Sequence, residues 1–176
     1  GLMINRAAFD QALARAAADA GARLQLGSTL KQLDIANRRA WVDTPQGLLE
    51  CRYRILIAAD GPCSGVAKQV GLPRQPVVHA RQYTVSLLQL SNETRVWLSG
   101  QYPGGYAWLF PKGDCANLGV GADKHYTHDL KQALDALHAR LVEQGVVGAA
   151  ILSLTGGLIP VGGLRERLVL ENVLFA

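Results

Sequence analysis

The 176-residue sequence contains no run near the ~20 apolar residues that a membrane-spanning helix requires. Its opening stretch, GLMINRAAFD, has no basic segment followed by an apolar run, so it does not read as a secretory leader. Cysteine is scarce. Cys51, Cys63 and Cys115 are far apart, odd in number and form no Cys-x-x-Cys pair. None stands at zinc-ligand spacing from His79, His125, His128 or His138, which leaves reduced cysteines in an intracellular protein and no metal site. A Gly-x-x-x-x-Gly-Lys phosphate loop and a Ser/His/Asp context are also missing. The formal net charge is only +4. Its basic residues are scattered, with Arg38-Arg39 the only basic pair, so nucleic-acid binding is not expected. Hydrophobic residues make up 49%, ample for a core, and the length sets an expectation of about one domain.

What is present centres on Tyr102 to Gly121, YPGGYAWLFPKGDCANLGVG. Tyr106, Trp108 and Phe110 alternate, which predicts a strand with three rings on one face. Pro103-Gly104-Gly105 and Pro111 bound it. A two-residue Gly113-Asp114 loop would fix the register of a hairpin: Phe110 against Asn117, Trp108 against Gly119, Tyr106 against Gly121. The opposite face would pair Leu109 with Leu118 and Ala107 with Val120. Large rings facing residues with little side chain predict a flat aromatic wall with room in front of it, suited to an apolar ligand. An ordinary aromatic core fits the spacing equally well.

Upstream, Asn5 caps a predicted helix that Gly21 ends. Phe9, Leu13, Ala16, Ala17 and Ala20 share one side, which predicts packing against a sheet. Arg6 lies in the first turn, where the helix dipole does not favour a cation, so it is a candidate for a phosphate or carbonyl partner. Arg23 to Cys51 reads as an antiparallel meander of short strands. Tyr53 to Ala59, YRILIAA, reads as a strand buried on both faces, typical of a parallel or mixed sheet. It leads into Asp60-Gly61, with Ser64 capping a short helix that ends at Gly71. Asp60 and Gly61 thus stand at the carboxyl end of a strand and before a helix amino terminus, where ligands of open α/β sheets bind. An Asp-Gly turn with a helix cap is the plainer alternative.

Pro73 and Pro76 mark a boundary. Val77 to Leu90 and Arg95 to Ser99 read as strands that join the aromatic hairpin in an antiparallel sheet. Thr127 is expected to cap a helix whose apolar face is Leu130, Leu134, Leu137 and Leu141, ended by Gly145 and covering one face of that sheet. Thr155 to Gly163, TGGLIPVGG, cannot be a central strand throughout, because Pro160 cannot donate to a ladder; a backbone-rich turn near a ligand or domain junction fits, and so does a simple loop. Glu171 to Ala176 reads as an apolar strand. Helix without preceding strand and strand without following connection together suggest a chain cut from a longer one.

Pro103-Gly104-Gly105-Tyr106-Ala107-Trp108-Leu109-Phe110-Pro111 resembles the Pro-x-x-Tyr-x-Trp-x-Phe-Pro motif of the geranylgeranyl reductase family of FAD-dependent oxidoreductases. Ala59 to Ser64, with Val66 and Gly71-Leu72, resembles the Asp-Gly motif of these flavoproteins and of related aromatic hydroxylases. Asn5-Arg6 with Phe9-Asp10, and Ile159-Pro160 with Gly162-Gly163, fit too. The family's Gly-x-Gly-x-x-Gly turn and its Gly-Asp segment have no counterpart, so the chain reads as the middle of a larger enzyme.

The resemblance implies an α/β and α+β fold: a partial FAD-binding, Rossmann-like domain of glutathione-reductase type and an antiparallel-sheet substrate domain. The expected division is 1–72 (cofactor), 73–155 (substrate) and 156–176 (return to the cofactor domain). It further implies hydride transfer from reduced FAD to isolated C=C bonds of an isoprenoid lipid, with NAD(P)H or ferredoxin as electron donor. Asp60, Gly61, Arg6 and Ser64 would then serve the cofactor, and Tyr106, Trp108, Phe110, Gly119 and Gly121 the substrate. No proton donor is evident. The expected location is cytoplasmic; the substrate class allows peripheral membrane association, although no segment indicates it. Two alternatives stand beside this: a flavin monooxygenase or halogenase of the same architecture, and a non-catalytic lipid-binding domain.

Overall fold

A computed structural model describes residues 3–123, 125 and 129–176. In chain order the elements are α1 (Arg6–Asp19), β1 (Thr29–Asp34), β2 (Arg39–Thr44), β3 (Gly47–Arg52), β4 (Leu56–Ala58), α2 (Gly65–Gln69), β5 (Val77–Leu87), β6 (Arg95–Trp97), β7 (Tyr106–Lys112), β8 (Cys115–Ala122), α3 (Leu130–Glu143), β9 (Val147–Pro160), β10 (Val169–Leu170) and β11 (Val173–Phe175). They fall into two units. One holds the residues through Phe9 and Val77–Ile159, the other Asp10–Pro76 and Pro160–Ala176.

The second unit has two small sheets. Strands β1, β2 and β3 form the expected antiparallel meander, turning at Arg38, whose φ is +54°, and at Gly47. The other sheet has the order β10-β11-β4, with β11 parallel to β4. That parallel pair and α2 bury Ala58, Val66, Ala67, Val173 and Phe175 together. The sequence predicts a longer strand buried on both faces at Tyr53 to Ala59. Instead β4 has three residues, and Ile55 and Ile57 are 63% and 64% exposed. The apolar run specifies a strand, but β4 lies at the sheet margin and only its Ala58 side is covered.

Helix α1 begins as expected, with Asn5 accepting from the Ala8 N–H at 3.2 Å, and it ends at Gly21 with φ +95°. Its expected packing against a sheet is not found among the described residues. No residue of α1 is buried, and Phe9 and Leu13 are about half exposed.

The first unit is a five-stranded sheet, order β6-β7-β8-β5-β9, with α3 on one face. Tyr83, Val85, Ala107, Leu109, Leu118 and Val120 meet Leu134, Leu137 and Leu141 in its core. Asp129 caps α3 by accepting from the Gln132 N–H at 3.0 Å; Thr127 lies outside the described residues. Strand β9 corrects the expected turn at Thr155 to Gly163. It runs through Thr155-Gly156-Gly157 and ends at Pro160, at the sheet's edge, where a proline is tolerated.

A polar strut ties α3 to the sheet. The Tyr83 hydroxyl donates to Asp135 at 2.6 Å, and Lys131 donates to the other Asp135 oxygen. Hydrogen bonds from Lys131 and then Tyr83 hold the Asp135 carboxyl below the usual range, while burial and then the Asp135 bond push the Tyr83 hydroxyl up. A carboxyl lowered on folding contributes stability above its unfolded pKa, near 3.9, that is lost as pH falls through the folded value. Asp135→Asn should therefore remove part of the acid sensitivity below about pH 4, read as urea midpoints at neutral and acid pH. Equal midpoint losses in wild type and variant would contradict the strut.

Candidate functional site

The aromatic hairpin has the register that its turn chemistry predicts. Phe110 pairs with Asn117, Trp108 with Gly119 and Tyr106 with Gly121, while Lys112 and Cys115 close the Gly113-Asp114 loop. The three rings lie on the face opposite α3, because Ala107 and Leu109 point into the core. Trp108 and Phe110 stack with centroids 6.1 Å apart and planes at 26°, whereas Tyr106 meets Trp108 edge-on at 5.7 Å and 61°. Exposure is unequal: Tyr106 is 41% exposed and Trp108 only 6%.

The wall is therefore neither flat nor fronted by open space at its centre. A Cβ on Gly119 would overlap Cζ2 and Cε2 of the Trp108 indole, so that glycine is the seat of the ring. A Cβ on Gly121 would meet Trp108 Cζ3 at an ordinary 3.5 Å. Tyr106 and half-buried Phe110 remain the more accessible rings.

Sequence reasoning missed a polar belt beside the rings. The Trp108 Nε1–H donates to Gln82 Oε1 at 3.1 Å, and Gln82 Nε2 reaches Thr155 Oγ1 at 3.4 Å. One row along, Ser153 donates to Thr84 at 2.9 Å. The alternation of Ala80, Gln82, Thr84 and Ser86 with Arg81, Tyr83, Val85 and Leu87 is the signal that assigns these residues to the ring face. Gln82→Leu should leave the buried indole N–H without an acceptor and cost about 1–3 kcal/mol. Gln82→Glu, which keeps an acceptor, should cost less. Urea midpoints and the near-ultraviolet tryptophan signal report both.

The Asp60 loop belongs to the other unit. It leaves β4 at its carboxyl end, and Gly61 takes φ +77°, with nothing within 4 Å of where a Cβ would stand. Ser64 is buried and accepts from the Ala67 N–H at 2.9 Å, so it caps α2. Asp60 Oδ2 accepts from the Val66 N–H at 3.2 Å. Desolvation pulls the Asp60 carboxyl up, but hydrogen bonds from Ser64 and from the backbone of Val66, Asp60 itself and Gly65 outweigh it and hold the group below the usual range. The result is an exposed carboxylate on a helix start, able to accept from hydroxyls. Arg6, the fourth residue assigned to the cofactor, is the first residue of α1.

A family model for the geranylgeranyl reductase catalytic domain matches residues 77–159, the segment that contains the aromatic hairpin. Over that segment the chain matches the geranylgeranyl reductase family. It is 31% identical over 179 residues to the digeranylgeranylglycerophospholipid reductase of Methanocella arvoryzae, covering 96% of this chain and 45% of that protein. A geranylgeranyl bacteriochlorophyll reductase-like structure from Thermoplasma acidophilum superposes with a TM-score of 0.81 at 25% identity, over 95% of this chain and 45% of that one. The flavin-dependent halogenase CmlS shares the fold, with a TM-score of 0.77 at 15% identity, over 99% and 35% of the two chains. The chain thus spans about half the length of the curated reductases that it matches.

Proposed function

We propose that this protein acts as part of an FAD-dependent reductase of isolated C=C bonds in geranylgeranyl-type isoprenoid chains. The observation that carries the reading is the Tyr106-Trp108-Phe110 wall, built by the five named residues of the motif within the matched catalytic domain. The curated relative's name, a reductase of a geranylgeranylated phospholipid, supports the substrate class. The halogenase shares the architecture and not the sequence, so a halogenase or monooxygenase reading rests on fold alone.

The Asp60 loop fits FAD. An exposed carboxylate held ionised and an unobstructed Gly61 offer an acceptor for ribityl or ribose hydroxyls and room for close approach of a ligand to the backbone. Asp60 and Gly61 would hold the cofactor, with Ser64 fixing the loop from within. When bound, FAD would supply the hydride, refilled by NAD(P)H or ferredoxin, and solvent would supply the proton that completes each reduction. Tyr106 and Phe110 offer apolar surface to a chain that carries no charge to grip, at roughly 0.8 kcal/mol per buried CH₂. Gln82 holds the Trp108 indole in place by its hydrogen bond. A lipid substrate would be met at a membrane surface; among the described residues no helix is long and apolar enough to cross a membrane.

The test is anaerobic turnover of a geranylgeranylated lipid by the protein expressed from its natural reading frame, with FAD and chemical reductant. Mass spectrometry should show two hydrogens added per reduced bond. Turnover that requires oxygen and yields a hydroxylated product would refute the reading.

A further inference from the structure

The second glycine pair of TGGLIPVGG does structural work that the reductase reading leaves unused. Gly162 lies against Pro76, where a Cβ would come within 2.6 Å of the proline Cδ. That contact brings the 161–168 segment onto the 72–76 segment. Three hydrogen bonds hold the two together: Val161 N–H to Pro76 O at 3.0 Å, Gln75 Nε2 to Gly163 O at 3.4 Å, and Arg165 Nη1 to Pro73 O at 3.1 Å. Between them lies a cavity of about 710 Å³ whose lining includes Arg74, Arg165 and Arg167.

Charge distinguishes this cavity. Three arginines face it against a single carboxylate, Glu166. Among the described residues, none of the three takes part in an ion pair. A smaller cavity of about 340 Å³ shares Arg74 and Arg165 and adds Lys68, beside Cys63 and Ser64 of the Asp60 loop. Leu72, Pro73, Pro76 and Leu164 supply apolar walls. Guanidinium groups bind phosphate oxygens in paired hydrogen bonds and stay charged at any working pH.

We propose that Arg74, Arg165 and Arg167 form an anion subsite that takes a phosphate ester. Arg165 is fixed by Pro73 and anchors the site, while exposed Arg74 and Arg167 close on the ligand. The chemistry is shared by the phosphate of a lipid headgroup and that of a dinucleotide, and does not depend on the reduction chemistry.

Titration calorimetry of inorganic pyrophosphate into the FAD-loaded protein, expressed from its natural reading frame, tests the subsite. Saturable binding that weakens with added salt is expected. Arg74→Gln and Arg167→Gln should each weaken it about tenfold or more. Exposed Arg52→Gln, outside both cavities, should not. Neither Arg74 nor Arg167 makes a hydrogen bond among the described residues, so both variants should melt like wild type, and Arg167→Lys should recover part of the affinity. Absence of pyrophosphate binding, or equal weakening by Arg52→Gln, would overturn the proposal. Competition then assigns the source. Displacement by NADPH but not NADH indicates a dinucleotide phosphate. Displacement by phosphatidic acid in phosphatidylcholine vesicles, but not by phosphatidylcholine alone, indicates a lipid headgroup. Pyrophosphate displaced by neither would overturn the assignment to a phosphate ester.

Discussion

Gly119→Ala is expected to lower stability by about 1–3 kcal/mol, the usual cost of overpacking, and to dislodge the Trp108 ring. The added methyl would occupy the same space as Cζ2 and Cε2 of the indole. The ring has little freedom to yield, since its N–H is bonded to Gln82 and it stacks on Phe110. Gly121→Ala is the matched control, on the same face two residues along, where the methyl makes only ordinary contact. Thermal melts should separate the two variants, and the tryptophan circular dichroism of Gly119→Ala should change. On the reductase reading its turnover should fall as well. Indistinguishable melts for the two variants would mean that the indole does not rest on Gly119.

Asp60→Ala is expected to weaken FAD retention by about ten- to hundredfold, the range for one hydrogen-bonded charged acceptor. It should also loosen the start of α2, because the Val66 N–H loses its acceptor. Ser64→Ala separates these effects. It removes the cap on Ala67 and should cost about 0.5–2 kcal/mol of stability, with a smaller effect on flavin. Flavin absorbance after gel filtration reports retention, and melts of the flavin-free proteins report the helix. Because hydrogen bonds hold the Asp60 carboxyl below its usual range, retention should stay level as pH falls to about 4. Asp60→Ala protein that keeps its flavin as firmly as wild type would remove this loop from the cofactor site.

What the sequence made legible was local. Period-two aromatics, bounding prolines and a Gly-Asp loop determine strand, turn and register together, and the hairpin has that register. The pairing of Trp108 with Gly119 was legible; the rotamer that lays the indole over the glycine was not, because opposition in a ladder leaves χ angles open. The TGGLIPVGG segment misled for a related reason. Glycine pairs and proline are turn punctuation, but at an edge β9 continues through Gly156 and lets it approach Ala80 O. For α1, Phe9 and Leu13 have the spacing of an apolar face, yet whether a surface covers such a face is a property of tertiary contacts that periodicity does not encode, and here both stay about half exposed. The Gln82 belt was written in the alternation of β5, though it becomes a feature only when β8 places it beside Trp108.

The rings sit on an inner strand, with β6 bonded along one side of β7 and β8 along the other. Shifting that strand would break two ladders at once, so the wall is a fixed platform. An isoprenoid carries several double bonds at regular intervals, and on the proposed reading each must reach the same hydride donor. The substrate is then what travels, sliding past stationary rings in repeat-length steps. On that reading Tyr106 and Phe110 would grip by dispersion, which is nearly indifferent to register. The same surface can release the chain and take hold of it again one unit further on.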